Sequence, residues 1–301
     1  MTLNNDWKSF PTDLAPLAEN VGPFPQRPFL EALWHHRADQ NAELHIEAST
    51  SGATAVVVSE GLLTFAGRSD LTDYHAPVGQ DGTEALVRAV GHFPDMPFRF
   101  DSLPLEAVDP IVAALSTSGV ETVVSEDEVV ATISLPPTYD DWLASLSKKQ
   151  RHEVRRKRRR FEAEFGLIDI ERHESDAIDV FCTMHRLSVG EKGQFMTGAM
   201  EELFRELLLT AGASIHLLTC DGVARAAAFG FEADNGYYYY NSAYDPAAAM
   251  ASPGIVLFSA MIETEIDRGA VVFDFLKGDE QYKFRHGAEP RQLFAIEGRT
   301  P

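Results

Sequence analysis

A Tyr-Lys-Phe-Arg run, Tyr282 to Arg285, closes a stretch that begins at Ser252-Pro253-Gly254 and passes through a helical pattern and a short apolar strand before reaching Asp279. The arrangement reads as an anion site fed by a strand. Ser252 is a preferred helix N-cap, Pro253 suits the first helical turn, and Gly269 suits the left-handed residue past the end. The N-terminus of that helix offers unpaired N–H groups and the positive end of its dipole, a seat for phosphate, and Lys283 is the nearby cation with an evident partner in that phosphate. Ile255, Phe258, Ile262 and Ile266 recur near helical spacing, with Leu257 and Met261 widening the apolar arc, so the helix is expected to be buried on a sheet. The strand Val271 to Leu276 should place Phe273 and Phe275 on one face and Val272, Asp274 and Leu276 on the other. The plain reading of Asp274, a carboxylate in an apolar strand, is a partner for a nearby Lys or Arg.

With 301 residues, 45% of them hydrophobic, the chain can bury a full core and has room for two ordinary domains. Cys182 and Cys220 are its two cysteines, and no Cys/His spacing resembles a structural zinc site, so no metal and no disulfide is expected. Met1 to Phe10 lack a basic region followed by an apolar core, and no apolar run approaches the roughly 20 residues that span a bilayer. The expectation is a soluble cytoplasmic protein without membrane insertion. Net charge is −20, yet Lys148 to Arg160 holds nine Lys or Arg and one Glu, +8, which leaves −28 for the rest. Leu143, Leu146, Gln150, Val154, Phe161 and Phe165 lie near one stripe of this segment, so it reads as a docked helix ringed by cations. It is either a solvated face balancing an acidic body or the wall of a channel for a polyanion such as tRNA, a nucleotide-linked sugar or the phosphates of coenzyme A.

Upstream, Pro28 to Arg37 reads as a helix, Thr54 to Ser59 and Leu62 to Phe65 as a hairpin, and Gly67 to Pro77 as a polar loop whose Asp70, Asp73 and Tyr74 can face a cleft. Gly82 to Val90 and Leu105 to Ser116 read as helices, Pro97 to Phe100, Glu121 to Val124 and Val129 to Leu135 as strands. Pro136-Pro137 marks a boundary between residues 1–136 and 137–301. Beyond the basic helix, Asp176 to Ser188 and Met200 to Ala211 read as helices around the loop Val189 to Gly198, beside which Arg186 can meet an acceptor and His185 is packed. Ile215 to Cys220, Val223 to Phe231 and Tyr237 to Ala243 read as antiparallel strands joined at Asp221-Gly222 and Asp234-Asn235-Gly236, and the Val271 strand, after its crossover helix, as parallel to the third.

This β-β-β-α-β order resembles the GNAT acyltransferase superfamily. The combination of Leu146-Ser147-Lys148-Lys149-Gln150-Arg151, Asp221-Gly222, Ser252-Pro253-Gly254, Phe273-Asp274-Phe275 and Gly278-Asp279-Glu280-Gln281-Tyr282-Lys283 resembles its CelD-like branch, linked by name to cellulose and exopolysaccharide formation. The Tyr282-Lys283 pair with Gly287 is also similar to the Fem-type aminoacyl transferases. The resemblance implies an α/β fold of tandem GNAT-like domains, each a mixed, mostly antiparallel sheet flanked by helices, the first degenerate. It implies acetyl transfer from acetyl-CoA to an amine or hydroxyl of a polar, sugar-linked acceptor by direct attack in a ternary complex. The alternatives are an aminoacyl-tRNA donor, or a non-catalytic module binding an anionic partner. The usual pyrophosphate signature, a Gln or Arg followed by two glycines, is replaced by Ala247, Ala248, Ala249, Met250 and Ala251. Donor contacts are then expected at Ser252, Pro253, Gly254, Ile255 and Tyr244, and acceptor contacts at Asp73, Tyr74, Arg151, Arg155 and Arg186. Lys283 would stabilise charge and Tyr282 protonate the leaving group. Asp279, which follows the strand directly, would take the amine proton ahead of Glu280 and His286.

Overall fold

In the computed structural model, which describes residues 4–301, the chain divides into two compact units, one running to Val130 and closed by Arg291–Pro301, the other Ala131–Pro290. The first contains α1 (Arg27–His35), β1 (Glu43–Ala48), β2 (Ala53–Ser59), β3 (Leu62–Phe65), α2 (Gly82–Val90), β4 (Pro97–Pro104), α3 (Leu105–Thr117) and most of β5 (Thr122–Ser134). β1, β2 and β3 pair antiparallel, and β4, which follows α2, pairs parallel with β3. The β2–β3 turn is the two residues Glu60 and Gly61, both at positive φ as a type I′ hairpin requires. Phe29, Leu33, Val56, Leu63, Phe65, Leu86, Phe98 and Phe100 fill the core between sheet and helices.

The second unit follows with α4 (Tyr139–Ser145), α5 (Lys148–Phe165), β6 (Ile168–His173), α6 (Ile178–Arg186), α7 (Glu191–Phe195), α8 (Gly198–Thr210), β7 (Ala213–Cys220), β8 (Val223–Ala233), β9 (Gly236–Tyr244), α9 (Pro253–Asp267), β10 (Val272–Lys277), α10 (Gln281–Arg285) and the start of β11 (Glu289–Arg299). Its strands lie in the order β10-β9-β8-β7-β6, with the end of β5 beside β10. Pairing is antiparallel except between β10 and β9. Each unit therefore repeats one plan: three antiparallel strands, a helix, and a strand parallel to the third. The fold is mixed α/β, with mostly antiparallel sheet flanked by helices.

Several sequence expectations change. Glu121–Val124 and Val129–Leu135 are one strand, β5, because the residues between them stay extended; β1, β6 and β11 were not foreseen. β11 is the strand that carries the chain back into the first unit, where Phe294 pairs with Leu103 and Ile296 with Phe100. Its opening Glu-Pro-Arg-Gln lacks alternation, so nothing local marks it. The chain leaves the first unit at Val130, ahead of Pro136-Pro137. α9 is apolar nearly all round, burying Val256, Leu257, Phe258, Ala260, Met261, Ile262 and Ile266 against α5 on one side and β8 and β9 on the other.

Candidate functional site

β9 and β10 share three parallel rungs, Val272↔Gly236, Phe273↔Tyr237 and Asp274↔Tyr238, and pairing then stops although β9 runs on to Tyr244 and β10 to Lys277. The strands diverge from that point. Just there Tyr240 is the extra residue of a β-bulge in β9, opposite Phe229 and Gly230 of β8. Gly230 leaves room for the Tyr237 ring, which a Cβ would meet at 2.5 Å. The opening is a cavity of about 430 Å³, lined by Tyr239, Tyr240, Asn241 and Ser242 of β9, Phe275 and Lys277 of β10, Glu280, Tyr282 and Lys283 beyond it, and His185, Lys192 and Phe195 opposite.

The exit from β10 forms the floor. Leu276 has φ 61°, a left-handed conformation that costs a branched side chain about 1–2 kcal/mol. Two charged groups hold it. Its N–H donates to Asp274 Oδ1 at 2.7 Å, and its carbonyl accepts from Lys283 Nζ at 3.1 Å. The same ammonium donates to the carbonyls of Lys277 at 2.5 Å and Gly278 at 3.2 Å, and Glu280 Oε2 lies 3.0 Å away. Lys283 is 2% exposed, so its three N–H bonds are spent on the β10 exit. The structure thus gives Lys283 backbone carbonyls where the sequence suggested phosphate.

A second cavity, of about 560 Å³, lies between the start of α5 and the start of α9. Lys149, Gln150, Glu153 and Lys157 line one wall, Ile255 the other, and Tyr282, Arg285 and His286 the end. The start of α5 is fixed by a capping box between Ser147 and Gln150. Lys157 lies 3.5 Å from Glu153, whereas Lys149 is exposed and makes no ion pair among the described residues. At the first turn of α9, a Cβ on Gly254 would meet nothing within 4 Å, so this helix start is open. Ser252 precedes it in a left-handed conformation, φ 63°, and makes no side-chain cap, contrary to its expected role. The preceding Pro246–Ala251 turn bends the chain into α9 instead.

Tyr282 borders both cavities. Its ring stacks on Phe258, centroids 5.1 Å apart and 8° from parallel. Burial drives its hydroxyl well above the usual tyrosine value, so the group remains a donor. His286 Nδ1–H donates to the Tyr282 carbonyl at 2.6 Å, and burial lowers the His286 pKa, which keeps the imidazole neutral. His185, also lowered by burial, pairs its Nε2 with Asn241 Oδ1 at 3.0 Å on the edge of the first cavity.

The other expected site residues fall elsewhere. Asp279 is exposed and lines neither of these cavities; Glu280, its neighbour, faces the first. Arg151 donates to the carbonyls of Leu143, Ala144 and Leu146, closing the end of α4. Arg155 points to solvent. Arg186 binds the Met196 carbonyl and Glu201. Tyr244 packs at the margin of the core with Lys192 Nζ 5.8 Å over its ring. Asp73 and Tyr74 are buried in the first unit. Lys149, Glu153 and Lys157 of the basic helix, four apart, share the face toward the second cavity. Asn241 and Ser242 carried no signal in the sequence.

Residues 148–284, which lie in the second unit, match the family described as acetyltransferase (GNAT) domain. No curated protein matches the sequence. Among solved structures, FemX is similar over 98% of this chain and 96% of its own, with TM-score 0.61 and 12% identity. The C-terminal domain of a lysylphosphatidylglycerol synthetase from Agrobacterium fabrum is similar over 89% and 91%, TM-score 0.59, 13% identity. L-PGS from Bacillus licheniformis is similar over 92% and 93%, TM-score 0.59, 13% identity. At these identities the likeness establishes a shared fold.

Proposed function

We propose that this protein is an acyltransferase whose second unit seats an anionic acyl donor between α5 and α9 and an acceptor amine or hydroxyl between β9 and β10. The observation that carries the reading is the pair of cavities with Tyr282 on the wall of both. Lys149, Lys157, Arg285 and the open start of α9 suit the donor's phosphates. The acyl carbonyl would reach past Tyr282, where the acceptor attacks it, its proton passing to water or to Glu280 while the leaving group takes a proton from the Tyr282 hydroxyl. No covalent enzyme intermediate is needed. In this reading Lys283, Leu276 and Asp274 keep the floor in place, and catalysis rests on positioning.

Acetyl-CoA is the donor we favour, because the cavity is compact and gathers Lys149, Lys157 and Arg285 around one small space. The acceptor is polar and, by the CelD-like resemblance, sugar-linked; the first unit is read as a degenerate copy. A second reading, aminoacyl-tRNA as donor, rests on Lys148, Lys149, Arg155, Arg159 and Arg160, exposed cations of α5 that make no ion pair among the described residues, and on a fold shared with FemX. Titration calorimetry with acetyl-CoA, beside Gly254→Asp, tests the first. A carboxylate at the α9 start adds a few tenths of a kcal/mol of helix stability but repels phosphate, so donor affinity should fall at least ~10-fold with Tm unchanged or raised. Absence of heat with acetyl-CoA, together with salt-sensitive tRNA binding lost in Arg155→Glu/Arg159→Glu, would transfer the assignment to the second reading.

A further inference from the structure

We propose that the first unit has a ligand site of its own, for a small carboxylate with a flat apolar body, between α1 and the β2–β3 hairpin. A cavity of about 250 Å³ opens there, lined by Leu33, Trp34, Ala42, Val57 and Ala66, with Arg37 and Arg68 at its rim. An apolar cavity of about 150 Å³ accommodates benzene, so this one has room for a single ring with a short acid side chain. The charge pattern selects the ligand's sign. Asp39, also on the lining, is tied to its own surroundings, accepting the Asn41 N–H at 2.8 Å and the Ser59 hydroxyl at 2.5 Å, and its charge is offset by the neighbouring Arg37. Arg68 is held in a fork by Asp70, at 3.1 and 2.6 Å.

Arg37 is different. Its guanidinium carbon lies over the Trp34 ring, 3.8 Å from the centroid, and only Nη1 is spent, on the Trp34 carbonyl at 2.8 Å. Nη2 donates to nothing among the described residues, and Nε is buried without a partner. A guanidinium half-buried on an indole with two idle donors, at the mouth of an apolar cavity, matches a carboxylate whose hydrocarbon part enters the cavity. Two other clusters do not carry a comparable site. His45, Glu47 and His92 converge as metal ligands would, but His45 Nδ1 accepts the Asn4 N–H, so Nε2 holds the proton a metal would displace. At His216, Glu232 and Glu265 the carboxylates are already paired with Arg172 and Arg268.

The test is a ligand-observed NMR titration of the full chain with phenylacetate, with phenylacetamide as the uncharged twin. Phenylacetate should bind with a Kd of about 1 mM or tighter, as its ten heavy atoms permit, and the amide at least ~10-fold more weakly. Arg37→Met, which keeps the contact with Trp34, should cost phenylacetate at least ~10-fold and leave the amide unchanged. Ala42→Phe, which fills the cavity, should abolish binding of both with Tm retained. Equal binding of acid and amide, or undiminished binding to Ala42→Phe, would overturn the site, as would no phenylacetate binding at 10-fold that concentration. None of these readouts involves acyl transfer, so the outcome is independent of the function proposed above.

Discussion

The two units repeat one strand-helix-strand plan, and they differ where the parallel strand leaves its neighbour. In the second unit β9 and β10 part after Asp274↔Tyr238 and the gap stays open, floored by a strained Leu276 that Asp274 and Lys283 hold. In the first unit β3 and β4 share a single rung, Leu63↔Phe98, and the gap beyond is packed: Phe65 sits 4.7 Å from Phe100 and 5.3 Å from His75, ring centre to ring centre. The helix starts differ in the same sense. That of α9 is open at Gly254, whereas that of α2 is covered by the turn before β2, where a Cβ on Gly52 would lie 2.2 Å from Asp81, and it carries the Asp81 carboxylate bonded to Ser51. A phosphate has no access there and meets like charge. One topology thus yields either a site or a core, and the choice lies in a few side chains: aromatic rings that close a gap, or polar groups that hold it open.

The largest expected effect belongs to the packed gap. Phe100→Ala removes a fully buried ring and should cost about 4 kcal/mol in urea denaturation, while acetyl-CoA affinity stays within twofold. A parallel loss of donor binding would mean that the first unit's gap serves the reaction. Lys283→Ala strips three carbonyls of their donor and should cost about 3 kcal/mol together with most of the transfer activity. Activity lost with stability held within about 0.5 kcal/mol would return the ammonium to direct contact with the ligand.

In pH the two units behave alike in direction. Burial keeps His185, His216 and His286 of the second unit below the ordinary imidazole value, His216 at about 4, and does the same to His45 in the first. As pH falls below 6.5 the unfolded chain takes up a proton that folded His216 refuses until about 4, so stability declines across that window, for His216 by up to about 3 kcal/mol. The groups facing it are Glu232, Arg172, Arg268, His173 and Tyr237. Urea midpoints at pH 7, 5 and 4 should fall more steeply in the wild type than in His216→Gln; parallel slopes would refute the assignment.

Much of the framework was legible because its causes are local. Asp221-Gly222 and Asp234-Asn235 take the positive φ values that a two-residue hairpin demands, and Gly269 does so past α9. Val154 and Phe161, two turns apart in α5, are buried as the apolar stripe implies, whereas Gln150, placed on that stripe by its spacing, caps the helix start with Ser147. Even the parallel strand was implied, since a helix between strands forces a crossover. Ser252 shows the limit: a residue type favoured at caps took a left-handed backbone because the turn before it set its φ.

By itself the sequence determined the longer helices and the tight hairpins, where the cations concentrate, and that a helix start and a Tyr-Lys pair lie near one strand end; the short helices α4, α7 and α10 carried no such signal. Tertiary structure decided what each charge meets. Lys283 is bonded to carbonyls five to seven residues earlier because β10 ends in a left-handed turn directed at it. Asp279, one residue past that turn, faces solvent while Glu280 faces the cavity. Backbone dihedrals answer to near neighbours in the chain, so they can be read from it; a hydrogen-bond partner is settled by whichever group the returning chain brings within 3 Å, and burial then fixes the strength of that contact.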